Sequence, residues 1–278
     1  MVAEMTRRRV DVLGVHVTAL TMSSAIARIA DWIAAGRQHY VCVTGVHGVI
    51  ESQADGELRD IHNAAGMVTP DGMPMVWSAH YAGAPEVERV CGRDLLLEVS
   101  RVAAERGWKF FLYGGREGIP ERLAARLEDW YPGLEIIGTH SPPFRPLTAD
   151  EDAAIVEHIN ALAPQIVWVG LSTPKQERWM ADHVGRLRAP VMIGIGAAFD
   201  MHAGDVRHAP TWMQRAGLEW LFRLILEPRR LWRRYLHNNP RFMLRILARP
   251  PRLINEQVDG GYVGHTSAHG HRPMTGEC

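Results

Sequence analysis

Short runs of consecutive apolar residues alternate along this chain with longer stretches in which apolar side chains recur every three or four positions. The first pattern suits a buried strand and the second a helix with one apolar stripe. Strands are therefore expected at Tyr40–Thr44, Lys109–Tyr113, Glu135–Gly138, Ile166–Gly170 and Val191–Ile195. Helices are expected over Ser23–Ala35, Gly48–Ala64, Asp94–Arg106, Pro120–Trp130, Asp150–Leu162 and Gln176–Leu187, with a long one from Thr211. Strands separated by helices imply βαβ units, so the predicted class is α/β, a mainly parallel sheet flanked by helices. Thr21 or Ser23 suits the start of the first helix, and Gly36, Gly107 and Gly133 suit the ends of three of them.

Composition adds a core and a boundary. With 278 residues, 46% hydrophobic and 22% charged, the chain can bury the core of one large domain and carry an appendage. The 31 basic and 31 acidic side chains cancel, so bulk charge points to no nucleic-acid partner. That balance hides a shift. Arg207–Arg249 holds ten arginines against Glu219 and Glu227 alone. From Pro250 onward the chain is polar and is expected to be disordered. The expected organisation is a 1–206 core, a 207–249 arginine-rich helical appendage that associates with membrane, and a 250–278 tail. Cys42, Cys91 and Cys278 have no metal-ligand spacing and read as reduced thiols of a cytosolic protein. Met1–Val10 is basic without an apolar stretch, so no signal peptide is expected. No run of about 18 apolar residues is present, so any membrane contact should be peripheral.

Four segments could carry chemistry. Val43-Thr44-Gly45-Val46-His47-Gly48 is a strand end feeding a helix, a place where free N–H groups can meet phosphate; a plain βα turn would look the same. In Thr69-Pro70-Asp71-Gly72, Asp71 could be a general base at a cleft, although by spacing alone an acidic helix cap is the commoner role. The glycine pair Gly114-Gly115 after a strand could let a diphosphate approach the backbone. In Ser172-Thr173-Pro174-Lys175-Gln176, Thr173 suits a cap and Pro174 a first turn. Lys175 would then oppose the helix dipole, which fits either an anionic ligand or a solvated lysine. Gly194-Ile195-Gly196-Ala197-Ala198-Phe199 fails as a dinucleotide fingerprint because Phe199 replaces the last glycine. Asp150-Glu151-Asp152 reads as an acidic first turn, and His202 and His208 lack further ligands at zinc spacing, so no metal is expected.

The arginine-rich stretch is the strongest of these signals. Trp212, Ala216, Trp220 and Leu224 recur every four residues, with Met213 and Leu221 beside them and Arg215 and Arg223 off that stripe. Arg229, Arg230, Arg233 and Arg234 follow, interleaved with Trp232 and Tyr235, while Pro228 and Pro240 are expected to break the helix. Arginine beside aromatics suits anionic headgroups, and guanidinium grips diphosphate bidentately. An ordinary charged solvent face would mix signs more evenly.

Taken together, Val41–Val49, Thr69–Trp77 (TPDGMPMVW), Arg89–Leu95 (RVCGRDL), Lys109–Gly115, Tyr131–Gly138 (YPGLEIIG), Val169–Trp179 (VGLSTPKQERW) and Gly194–Glu227 resemble the WecG/TagA/CpsF glycosyltransferases, glycosyltransferase family 26. The resemblance implies a Rossmann-like domain with a membrane-meeting C-terminal appendage. It implies inverting, cofactor- and metal-independent transfer of a hexose or N-acetylmannosamine-type sugar from a UDP-sugar. The acceptor would be a polyprenyl-diphosphate-linked sugar at the cytoplasmic face of the plasma membrane, in cell-surface polymer synthesis.

Residue by residue, it implies Asp71 as general base, Thr44 as a second catalytic-site residue, and Arg89 as a phosphate or sugar contact. Gln176 would contact the donor; from the pattern reading, Lys175, Gly114 and Gly115 are kept as further substrate-binding candidates. Arg215, Arg223, Arg229 and Arg230 would hold lipid diphosphate or anionic headgroups. One position departs: the family often has asparagine where Val46 stands, and an apolar side chain cannot replace an amide. His47 could compensate. A different Rossmann-like enzyme (reductase or methyltransferase) and a non-enzymatic membrane adaptor are the competing readings, and self-association is left open.

Overall fold

A computed structural model describes residues 7–204 and 209–256, without the side chains of Arg7, Thr211, Arg215, Arg230 and Arg234. Two strands open the chain, β1 (Arg7–Val12) and β2 (Val15–Thr18), followed by α1 (Met22–Ala34) and β3 (His39–Thr44). Then come α2 (Val46–Ala54), α3 (Gly56–Ala64), β4 (Met67–Pro70), α4 (Met73–Tyr81) and α5 (Gly92–Arg106). The middle is β5 (Lys109–Gly114), α6 (Ile119–Trp130), β6 (Glu135–His140), α7 (Ala149–Leu162), β7 (Ile166–Gly170), α8 (Lys175–His183) and β8 (Val191–Gly194). The last part is α9 (Ala198–His202), α10 (Thr211–Arg215), α11 (Glu219–Leu226), α12 (Pro228–Ala248) and β9 (Arg252–Glu256).

Six strands form a fully parallel sheet in the order β4-β3-β8-β7-β5-β6. Helices cover both faces, which is why β7 and β8 are apolar along nearly their whole length. Val41, Leu112, Trp168 and Ile193 pack into the core on one face, and Cys42, Tyr113, Val167 and Met192 into the core on the other. This is the Rossmann-like α/β arrangement expected. All five expected strands are present.

The differences have local causes. Gly48–Ala64 is two helices, because Asp55 leaves the helical region (φ −127°, ψ 93°) and its carboxylate caps α3 by accepting from Leu58 N at 3.0 Å. The Gln176–Leu187 helix stops at His183, and α6 ends at Trp130 as expected but with Tyr131, not Gly133, as its cap. The stretch from Thr211 is three helices, so the four-residue stripe is not continuous: Met213 is buried and Trp212 is exposed. Pro228 begins α12, but Pro240 lies inside it without ending it. An intact flanking helix tolerates one missing N–H where neighbouring turns are packed.

Part of the expected tail is ordered structure. Residues 252–256 form β9, which pairs antiparallel with β1 in a second sheet of order β2-β1-β9. Glu256 pairs with buried Arg9 (3.2 Å) and with His16 (2.6 Å), and Arg9 also donates to the carbonyls of Asn63 and Ala65. The stretch is held as a strand by its ladder to β1, by Leu253 packing on the core and by Glu256 facing a buried arginine, none of which its own composition signals. Among the described residues no helix is long and apolar enough to cross a membrane.

Candidate active site

The carboxyl ends of β3 and β4 lie side by side, Thr44 in register with Pro70. Each strand hands over directly to a functional loop. Asp71 N donates to Thr44 O at 3.0 Å, which closes the end of the pair. Gly45 packs so tightly on this turn that a Cβ there would sit 2.7 Å from the Asp71 carbonyl oxygen. Gly72 has φ +95° and is itself the N-cap of α4. The cap position therefore falls on Gly72 and not on Asp71, and the acidic-cap alternative is set aside.

Asp71 is exposed and lines a cavity of about 400 Å³. One wall is the β3–α2 loop, from Thr44 to Gly48, and the floor includes Met73, Pro74 and Trp77 of α4. The opposite wall comes from the C-terminal helices α10, α11 and α12: Gln214, Glu219, Trp220, Arg223, Tyr235, Asn238 and Asn239. Trp220 and Tyr235 bring their rings to 5.8 Å and join α11 to α12. The site is thus built between the core and the arginine-rich segment, outside the strand ends where α/β sheets bind ligands.

Two polar atoms at this cavity, one on each wall, lack protein partners among the described residues. Thr44 is 2% exposed and its Oγ1 is buried without a hydrogen bond, as is Nε of Arg223. Buried polar atoms are rarely left unpaired, and at a cavity such atoms mark where a ligand would bind. Gly45 has no side chain to cap α2, so the first-turn N–H groups of that helix have no side-chain acceptor from their N-cap.

Arg89 also lines the cavity, but its guanidinium is already engaged. It donates to Glu219 Oε2 (2.9 Å), Asp94 Oδ2 (2.8 Å) and Gln214 Oε1 (2.9 Å). Arg93 binds the same Asp94 and Gln214. Burial pushes the Asp94 carboxyl upward, but hydrogen bonds from Arg93 and from the Cys91 thiol, with the charges of Arg93 and Arg89, outweigh it and hold the pKa below the ordinary range. Burial raises the Cys91 thiol, as do the nearby charges of Asp71 and Asp94, so it stays protonated. Arg89 is therefore a bracket between the sheet domain and helices α10 and α11 as well as a cavity residue.

Several expected site residues lie elsewhere. Gly114 and Gly115 do not line this cavity. Gly114 abuts the backbone of Gly170, and Gly115 faces Ile119 and Phe199, so the glycines serve close packing between β5, β7 and α9. Phe199 fills the space over Gly170 and Gly115, consistent with the failed dinucleotide fingerprint. Gln176 is 3% exposed and donates to Glu177 Oε1 at 3.0 Å, beneath Gly194 and Gly196, because the first turn of α8 faces the sheet. Lys175 is exposed at the start of α8. Thr173 does not cap that helix; it reaches the cavity and donates to Glu177 Oε1 at 2.9 Å. Arg229 is exposed outside the cavity lining, and the side chains of Arg215 and Arg230 lie outside the described set. The acidic triplet behaves as a first turn: Thr148 and Glu151 form a capping box, and Asp152 pairs with His183 and Arg186.

The sequence reading missed Gln214, Glu219, Asn238 and Asn239. Only the doubled asparagine before Pro240, polar within an amphipathic helix, offered a signal.

An acid, arginines and a helix start without a side-chain cap surround one strand-end cavity of an α/β fold. Comparison with known proteins makes this specific. The chain matches the glycosyl transferase WecG/TagA/CpsF family over residues 10–255 and belongs to that family. It is 30% identical over 193 residues, 69% of this chain and 73% of the relative, to an N-acetylglucosaminyldiphosphoundecaprenol N-acetyl-beta-D-mannosaminyltransferase of Bacillus subtilis (strain 168). It is 27% identical over 240 residues, 86% of this chain and 92% of the relative, to the protein of the same name in Staphylococcus aureus (strain NCTC 8325 / PS 47). The protein is a glycosyltransferase, which sets aside the reductase, methyltransferase and adaptor readings.

Proposed function

We propose that this enzyme moves an N-acetylmannosamine-type sugar from a UDP-sugar to a polyprenyl-diphosphate-linked sugar, with Asp71 as general base. The names of the relatives support the sugar and the lipid-linked acceptor. The observation that carries the base is the location of Asp71, exposed in a cavity shared with Arg89 and Arg223. Inverting displacement needs one base to take the acceptor proton as its oxygen attacks the anomeric carbon, and cations to stabilise the departing diphosphate. Arg223 and the α2 N-terminus supply that stabilisation, and we expect neither metal nor other cofactor to be required. Thr44 Oγ1 contacts the substrate beside Asp71.

The acceptor reaches the cavity from a lipid surface. Trp77 (50% exposed) and Met243 (57% exposed) line the cavity and also face outward. Leu236, Leu244, Leu247 and Trp232 extend this apolar face along α12, with Arg229, Arg233 and Arg245 around it. Apolar side chains with arginines suit the anionic cytoplasmic leaflet. The decisive experiment measures UDP release from UDP-N-acetylmannosamine with and without a synthetic N-acetylglucosamine-diphosphate-polyprenol. Release that depends on the acceptor is expected, and release indifferent to it would reject the reading.

A further inference from the structure

We propose that Asn239 of α12 is a sugar-recognising amide of the Asp71 cavity, and that Asn238 holds that stretch of the helix in place through His47. The inference rests on the transfer reading above and names its specificity group. Val46 and Asn239 line the same cavity, Val46 from the β3–α2 wall and Asn239 from the α12 wall. Val46 offers only methyl groups there. Among the described residues no hydrogen bond to the Asn239 amide is made, although the residue lines a cavity with Asp71 and Thr44. A carboxamide carries two N–H donors and an acceptor oxygen, the combination that reads a pyranose hydroxyl or an acetamido group.

Its neighbour explains why it is held there. Asn238 is only 4% exposed, and its Nδ2 donates to His47 Nδ1 at 2.9 Å. That bond ties α12 to the first turn of α2, directly beside Val46. Leu231 and Phe242 of the same helix are buried, so α12 is anchored on both sides of the asparagines. The amide is therefore presented by a packed helix, which gives better positional definition than a loop. On the transfer reading the assignment is to the donor sugar, an N-acetylated hexose, and the nucleotide-sugar measurement decides it against the acceptor.

The test measures UDP-N-acetylmannosamine and UDP affinities by calorimetry on the full chain, together with steady-state transfer. Wild type should bind the nucleotide sugar more tightly than UDP. In Asn239→Ala that difference should shrink by about 10- to 100-fold, the loss expected for one polar contact to a ligand, with UDP affinity and melting temperature unchanged. Asn238→Ala should show a smaller loss in the same direction. Returning an amide to the loop, in Val46→Asn combined with Asn239→Ala, should recover part of the selectivity, a rescue that a merely structural asparagine would not give. Wild type that turns over alongside an Asn239→Ala protein of unchanged sugar selectivity overturns this inference alone. Wild type that binds neither nucleotide overturns it together with the transfer reading.

Discussion

Arg89 donates to Glu219 of α11 at 2.9 Å, both side chains partly withdrawn from solvent. The bond spans 130 residues and closes one side of the cavity that holds Asp71. Arg89 reaches Gln214 and Asp94 as well, so the arginine read from sequence as a substrate contact also assembles the site. Replacing Glu219 by Gln should leave the sheet intact but weaken docking of α10 and α11. A charge-assisted hydrogen bond at a partly buried place contributes about 1.5–3 kcal/mol. Limited proteolysis should show faster cleavage between residues 209 and 249. Cleavage at the wild-type rate would mean that the bracket contributes nothing.

Asp71→Asn preserves shape and removes the basic oxygen. The variant should fold and bind nucleotide like wild type while transfer falls by about 10²–10⁴, the range of one general base. The check is turnover at saturating donor beside an unchanged thermal melt. Turnover within threefold of wild type would remove Asp71 from the chemistry.

Vesicle binding should depend on the outer face of α12. Leu244 and Leu247 are both exposed, and burying two such side chains in the lipid interface is worth a few kcal/mol at about 25 cal/mol per Å². The double substitution L244E/L247E should weaken sedimentation with anionic vesicles by at least about tenfold. Deleting everything from Thr211 is a poorer test. It removes β9, leaving β1 unpaired on one edge and Arg9 without Glu256. Unchanged sedimentation of the full-length double variant would place the contact elsewhere.

The Asp94 cluster predicts a pH dependence of folding stability. Its carboxyl has a pKa below the ordinary 3.8, so the folded state favours the ionised form. The stabilisation is complete above that ordinary value and is lost as pH falls through the lower folded value. Asp94→Asn should remove this acid-side dependence while other carboxylates continue to titrate. Superimposable acid-unfolding curves for wild type and variant would contradict it.

Legibility followed the range of the interactions. Five of the six strands of the central sheet show in the sequence, most clearly β7 and β8, because a segment buried on both faces must be apolar nearly throughout. β4 escaped because four residues ending at a proline give too short a run. β1 escaped because its Arg7-Arg8-Arg9 start reads as a charged arm, although Arg9 is buried against Glu256. Asp71, Thr44 and Arg223 were nameable from their motifs and share one cavity. Gln176 was also nameable, yet it faces the sheet, since sequence does not say which side of a helix's first turn looks inward.

By itself, then, the order of apolar runs determined a parallel α/β core, and the charge imbalance near the end marked a distinct basic segment. Periodicity and local charge are short-range properties and survive in one dimension. Only the tertiary structure decided that α11 and α12 fold back over the ends of β3 and β4, that residues 252–256 join β1, and that Asn238 meets His47 across 191 positions. Those contacts join residues far apart in the chain, and each depends on packing and pairing that no local pattern encodes.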